Sequence, residues 1–246
     1  MYIEKYFEFV IDNLKIIYET QTENIKKTAD IIIDCILNKG SVYVFGATHA
    51  GILSEELFYR AGGLMLINPI FPPDLIVTAK PITITTKVEN LEGYGKIIIE
   101  NSKITDKDVI IIHSVSGRNI VPIEAAMTCK EIGAKLIVIT NLSFSKSIKS
   151  RHPSGKKLHE IDPDVIIDNC GIIGDACVEI KGMKQKVGPT STVSGCLIVN
   201  AVIVNVVEKL VEKGIEPPVF MSANLDGSAE FNGGLVKKYL DQIKYI

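Results

Sequence analysis

The stretch Asp108-Val-Ile-Ile-Ile-His113-Ser-Val-Ser-Gly117-Arg-Asn119 runs on through Ile120 to Gly133 and closes with Ala134-Lys-Leu-Ile-Val-Ile-Thr140. It reads as strand, loop, helix and strand, with its polar residues gathered in the loop. Val109 to Ile112 is an unbroken β-branched run, the pattern of a parallel strand covered on both faces. Ile120, Ile123, Ala126, Met127 and Ile132 then recur at helical spacing until Gly133 stops the helix. The first N–H groups of a helix lack internal partners and lie at the positive end of its dipole, so a hydroxyl- and glycine-rich loop opening a helix can cradle an anion. Ser114 and Ser116 add donors to that ring, with Gly117 beside them. The loop holds no lysine of the kind a nucleotide-binding P-loop uses, which points to a single phosphate rather than a triphosphate with magnesium. The same Ser114, Ser116 and Asn119 also serve as ordinary helix caps. The loop residues alone leave both readings open.

Upstream, Ser41-Val-Tyr-Val-Phe-Gly46 repeats the buried-strand pattern, and Ala47-Thr48-His49-Ala-Gly51 is a second small-residue loop before a helix expected over about Ile52 to Ala61. Open parallel sheets bind ligands beyond the carboxyl ends of their strands where the winding reverses, so the two loops should face one crevice. Thr48 and His49 then meet the anion or what it is attached to. Glu55 and Glu56, on the helix that follows, are candidates for a base; Glu56 paired with Arg60 at i,i+4 on a solvated face is the competing use.

Leu64 to Ile67 reads as the second strand, Asn68 to Pro73 as an irregular connection, and Asp74 to Thr86 as loop. A helix over about Glu92 to Asn101 leads back to the central unit. Residues 2 to about 38 carry helical periodicity, with Gln21-Thr22 as a possible separation between two helices. Past Thr140, the segment from Phe144 to Lys157 mixes hydroxyl, glycine and basic residues; Lys149, Arg151, His152 and Lys157 suit an anionic ligand, and a solvated basic loop accounts for the same composition. His152 is the histidine of most interest, since an unperturbed imidazole titrates near 6.5. His113 at its strand end reads as structural and His159 as surface. Asp164 to Asp168 gives a fifth strand. Pro189, then Thr190, Ser191 and Thr192, precede or cap a long apolar helix through about Val211. The tail from about 215 to 246 gathers Ser222, Asn224, Asp226 and Asn232 on an apolar anchor, either closing over a ligand or making an Asn-x-Asp-Gly turn.

With 246 residues, 46% of them hydrophobic, one α/β domain can bury a full core. Twenty-nine acidic and 27 basic residues nearly balance, so no net field points to nucleic acid or an anionic membrane. No apolar run reaches the roughly 20 residues that span a bilayer, and the charged start Met-Tyr-Ile-Glu-Lys is unlike a signal peptide. A cytoplasmic location is expected. The five cysteines are odd in number and scattered among apolar neighbours, as free thiols are. Without Cys-x-x-Cys or a His/Cys cluster, no structural metal site is indicated, and a catalytic metal on scattered His and Glu stays open.

Ser-x-Ser-Gly after a buried strand, then a helix and Gly-Ala-Lys-x-Ile-x-Ile-Thr, resembles the SIS (sugar isomerase) domain family, and Gly46 to Gly63, Ser150 to Lys157 and the tail resemble one bacterial branch of its phosphosugar isomerase-like proteins. Asn119 stands where that family has threonine, and Ala50 and Gly51 where the branch has serine and histidine. The resemblance implies a three-layer α/β/α sandwich with a five-stranded parallel sheet of flavodoxin-like winding, a single domain spanning 1–246, and a homodimer or higher homo-oligomer. It implies a sugar phosphate held by Thr48, His49, Ser114, Ser116, Gly117, Asn119, Arg151, Ser191 and Thr192. The expected activity is an aldose–ketose isomerisation with Glu55 or Glu56 as base and His152 as proton shuttle, using neither cofactor nor metal. The alternatives are a phosphosugar-sensing module without turnover, and a lyase or etherase acting on an amino-sugar phosphate.

Overall fold

The computed structural model describes all 246 residues. Five parallel strands, β1 (Val42–Gly46), β2 (Ile67–Ile70), β3 (Val109–His113), β4 (Lys135–Thr140) and β5 (Val165–Asp168), form one sheet in the order β2-β1-β3-β4-β5. The chain goes outward from β1 to β2, then crosses back over β1 to β3, so the winding reverses between β1 and β3. This is the flavodoxin-like order.

Because the strands are covered on both sides, alternate side chains feed two cores. Val42, Val44, Val109, Ile111, Ile137 and Ile139 point to one face. There they meet the 36-residue α1 (Tyr2–Leu37), α2 (Ile52–Leu57) and the 22-residue α7 (Ser191–Glu212). Tyr43, Phe45, Ile110, Ile112, Leu136 and Val138 point to the other, under α4 (Tyr94–Asn101) and α5 (Ile120–Ile132). The short helices α3 (Thr83–Val88) and α6 (Leu142–Ser147) lie in connections. A small antiparallel hairpin of β6 (Ala176–Val178) and β7 (Val187–Pro189) precedes α7, and α8 (Ser228–Lys238) follows it.

Several boundaries differ from expectation, each for a physical reason. The first helix has no break at Gln21-Thr22; neither residue interrupts the backbone, and Gln21 accepts a bond from the Asp168 amide at 3.1 Å instead. The second strand starts three residues late and includes Asn68 and Pro69. A proline lacks a ladder donor and is confined to sheet edges, and β2 is the edge strand. The threonine-rich stretch read as loop contains α3, and α2 stops at Leu57, where Phe58 turns extended. The α7 helix is long and apolar enough to cross a membrane by length and composition, contrary to the reading of the sequence; here it packs on α1 and α2, with Ile198, Val199, Val202 and Val206 at or below 1% exposure.

In the tail, residues 223–227 form the turn that Asn-x-Asp-Gly suggests, Val219 bridges to Leu64, and α8 follows. Asn232 donates to the Met221 carbonyl and accepts from its amide, at 3.0 and 2.9 Å, so its polarity is spent within the tail. Gln242 reaches back to donate to the Ile36 and Gly40 carbonyls, and Lys244 donates its amide to Asn68 Oδ1 at 2.6 Å, fastening the chain end against β2. All five cysteines are free; Cys35 and Cys129 are buried, and burial pushes both thiols up to about 12.

Candidate functional site

The strand register sets Gly46 beside His113, His113 beside Ile139, and Thr140 beside Asp168. The loops after β1, β3, β4 and β5 therefore leave the sheet at one edge, around the reversal of winding.

The loop after β3 is clamped from below. Fully buried Thr140 donates its hydroxyl to the Ser114 carbonyl at 2.7 Å and reaches the Val115 carbonyl at 3.2 Å, while the Asn141 amide donates to Val115 at 3.0 Å. Gly117 lies in the left-handed region at φ 59°, and a Cβ there would stand 3.0 Å from Ser145 Oγ and 3.3 Å from Thr140 Oγ1. Glycine is thus required both by conformation and by space. Asn119 occupies the position before α5 in extended conformation, yet its side chain does not cap the helix. Its Oδ1 accepts instead from Arg151 Nη1 at 2.7 Å. The α5 N-terminus is left uncapped by any side chain, with half-buried Ser116 and buried Ser114 in the loop before it. The capping alternative therefore does not describe Asn119.

The basic segment 148–158 lies along this loop. The Leu158 amide donates to the Gly117 carbonyl at 2.8 Å and the Arg151 amide to the Arg118 carbonyl at 2.9 Å. This brings Arg151 to Asn119 across 32 positions of sequence. His152, next along, is half-buried; its Nδ1 accepts from the Ser154 amide at 3.1 Å, which leaves the hydrogen on Nε2. His159, read as surface, is half-buried with Nδ1 3.0 Å from Ser145 Oγ, and burial lowers its pKa.

After β1 the chain makes a single tight turn, Thr48–Gly51, with Thr48 at φ 56°. The turn folds onto the strand end because Gly46 has no Cβ; one there would lie 2.4 Å from the Ala50 carbonyl oxygen. Thr48 is half-buried and His49 exposed. His113, 1% exposed, sets its Nδ1 3.0 Å from that same Ala50 oxygen, so it ties the β1 and β3 loops together. A carbonyl only accepts, so Nδ1 carries the hydrogen and the buried Nε2, which has no partner, is bare. Burial holds the imidazole below its ordinary range. The neutral form is therefore favoured on folding: this contribution is complete above about pH 6.5, the ordinary imidazole value, and is lost as pH falls toward the depressed folded value. Urea unfolding of wild type should show stability falling on acidification below that point, and His113→Asn should flatten the fall; an unchanged slope in the variant would remove His113 as its source.

The two carboxylates on α2 differ. Glu55 is exposed. Glu56 forms an ion pair with Arg60 and accepts from Asn200 Nδ2 at 2.9 Å. Asn200 is nine residues into α7, about 13 Å from its start at 1.5 Å per residue, so Glu56 lies along the flank of that helix. The start of α7 is already occupied. Asp175 accepts from the Thr190 and Ser191 amides at 3.0 and 2.8 Å and from the Ser191 hydroxyl at 2.7 Å. Ser191, expected to hold phosphate, thus gives its donors to a carboxylate of its own chain, and half-buried Thr192 follows it. No group of three or more His, Cys, Asp or Glu side chains is placed to hold one metal ion.

Two residues of this region escaped the sequence reading. Asp175 follows a glycine and precedes a hairpin, and nothing in its spacing links it to Ser191. Glu89 ends α3, and its carbonyl accepts from the Val121 amide at 3.1 Å in the first turn of α5. Burial raises the pKa of its carboxyl, against the opposing influence of Asn119 and the Arg151 charge.

Residues 5–141 match the SIS domain family, and the chain belongs to that family. Among relatives, it is 46% identical over 245 residues to a UPF0309 protein of Shouchella clausii and 44% identical over 245 residues to one of Oceanobacillus iheyensis, covering 100% of this chain and 99% of the relative in both cases. It is thus a SIS-domain protein of the UPF0309 group. Solved structures share the fold at low identity. A phosphoheptose isomerase from Francisella tularensis superposes with TM-score 0.54 at 18% identity, over 83% of this chain and 95% of that one. The Vibrio vulnificus NanR protein complexed with ManNAc-6P superposes with TM-score 0.51 at 12% identity, over 96% of this chain and 69% of that one.

Proposed function

We propose that this chain is a single SIS domain that binds a sugar phosphate, with the phosphate on the Ser114–Asn119 loop at the N-terminus of α5. The observation that carries this is the serine- and glycine-containing loop, held open by Thr140, ahead of a helix start that no side chain caps, although the Val121 amide is taken by the Glu89 carbonyl. Family membership supports the ligand class, and the fold is shared with a phosphoheptose isomerase and with a protein complexed with ManNAc-6P. Arg151, brought to the loop by Asn119, supplies a fixed positive charge at its rim. Thr48 and His49 line the sugar side.

The activity we infer is aldose–ketose isomerisation. A base removes the proton from C2 of the aldose and returns it to C1, while a second group moves the proton between the two oxygens. Arg60 and Asn200 engage Glu56, which leaves Glu55 as the base; His152 is the shuttle. The phosphate contributes binding energy that fixes the sugar for these transfers. The ion pair on Glu56 equally favours a second reading, a module that binds without turnover. The protein acts in the cytosol as a homodimer, for which the exposed apolar stripe Ile3, Phe7, Ile11 and Tyr18 of α1 is the candidate surface.

Ser116→Ala removes one hydroxyl donor to the phosphate. Loss of one hydrogen bond to a charged group, about 1.5–3 kcal/mol, should weaken sugar-phosphate affinity roughly tenfold or more with little change in thermal stability. Titration calorimetry reads the affinity, and unchanged binding would exclude the loop as the phosphate site. NMR of the incubated ligand separates the readings of activity: an isomer appears, a second product is released, or the ligand stays intact.

A further inference from the structure

The chain has three arginines, Arg60, Arg118 and Arg151, against a background of lysine, and two of them lie at the start of α5. Arg118 stands two positions before Ile120, the first helical residue, and its carbonyl accepts from the Arg151 amide at 2.9 Å. The first turn of α5 holds no acidic residue. A helix N-terminus is the positive end of the dipole, where anions stabilise and cations do not, so two arginines there are an adverse placement unless an anion joins them. The three side chains also differ in what they meet. Arg60 pairs with Glu56, and Arg151 Nη1 donates to Asn119 Oδ1 at 2.7 Å. Arg118 joins none of the chain's ion pairs, and its Nε is buried with no hydrogen-bond partner. The residue is half-buried, so water does not fully solvate it, and a buried donor without an acceptor costs free energy. Its backbone cannot swing away to relieve this, because the Gly117 and Arg118 carbonyls are both held by segment 148–158.

We propose that Arg118 is a ligand-binding residue of this site, whose guanidinium engages the phosphate on the Ser114–Asn119 loop and makes the site select a dianionic phosphate monoester over a monoanionic diester. The inference rests on the phosphate reading of that loop and adds the charge of the group it takes. A guanidinium presents a planar fork of donors that matches two phosphate oxygens, and a bound phosphate supplies the acceptor that Arg118 lacks within the chain. A monoester loses its second proton at about pH 6 and is close to doubly charged above it, whereas a diester keeps a single charge. Beside Arg118, Arg151 and the positive end of α5, the second negative charge is attracted rather than left unbalanced.

The test uses two isomers, ethyl phosphate and dimethyl phosphate, which contain the same atoms but carry about two charges and one at about pH 8. Phosphorus NMR titration of wild type should show ethyl phosphate bound the more tightly. Arg118→Gln should weaken ethyl phosphate about tenfold or more, the scale of one lost hydrogen bond to a charged group, and dimethyl phosphate far less, so that the preference collapses. Arg118→Lys keeps the charge without the fork and should fall between the two. Without ligand, Arg118→Gln should melt at or above the wild-type midpoint, because an unbalanced cation has left the positive end of a helix. No preference for ethyl phosphate in wild type, the same preference in the glutamine variant, or a lower ligand-free midpoint with both affinities intact overturns the proposal. In that event, inorganic phosphate that binds wild type and is weakened by Ser116→Ala keeps the phosphate reading of the loop. If wild type binds neither isomer nor inorganic phosphate, that reading falls and the role of Arg118 with it.

Discussion

Gly117→Val should abolish binding of a phosphorylated ligand and destabilise the protein by about 3 kcal/mol, the sum of a β-branched residue forced to positive φ and a clash in a packed loop. Gly117 sits at φ 59°, and even a Cβ would lie 3.0 Å from Ser145 Oγ, which is fully buried beneath it. Neither neighbour yields easily. Ser145 is tied to His159 at 3.0 Å, and Thr140 spends its hydroxyl on the Ser114 and Val115 carbonyls. Relief has to come from the loop itself, which would leave the start of α5 and break the bond from the Leu158 amide to the Gly117 carbonyl. Denaturant unfolding and calorimetric titration on the same preparation check the two parts. Full affinity in a folded Gly117→Val protein would mean that the loop conformation does not matter to the ligand.

Asp175→Ala should cost about 2–3 kcal/mol, the scale of losing a charged helix cap together with buried donors left without an acceptor. Asp175 satisfies the first amides of α7 and the Ser191 hydroxyl at once, and Ser191 is only 7% exposed. The longest helix on that face of the sheet after α1 would start unanchored beside the crevice. Asp175→Asn should recover part of the loss, because the amide oxygen still accepts but the charge at the positive end of the helix is gone. A loss below about 0.5 kcal/mol in the alanine variant would show that solvent replaces the carboxylate without penalty.

What could be read from the residues followed their physical distinctness. The strands β1, β3 and β4 are almost wholly apolar runs of β-branched, aromatic and leucine side chains because both faces of the sheet are covered, and the glycine and hydroxyl residues after them mark the crevice loops directly. The edge strand β2 was displaced because Asn68 and Pro69 carry loop chemistry; only an edge tolerates them, and edge status is a property of the sheet, not of the segment. Thr83 to Val88 is rich in β-branched residues of low helix propensity, and α8 runs unbroken through Gly233-Gly234, so in both places tertiary packing overrode local preference. In the site, Asn119 and Arg151 each drew attention by type, but their 2.7 Å bond joins segments 32 positions apart. Glu89 and Asp175 are single acids in connections, and only the fold reveals what they face.

The most direct test of the central claim is a thermal-shift comparison of the purified protein with a panel of aldose and ketose phosphates, the matching free sugars and inorganic phosphate. A ligand that binds only the folded state raises the midpoint with the logarithm of its concentration over its dissociation constant. The account predicts that at least one sugar phosphate raises the midpoint, that its free sugar does not, and that Ser116→Ala loses most of the rise. A free sugar that stabilises as well as its phosphate, or a rise that Ser116→Ala retains in full, would contradict it.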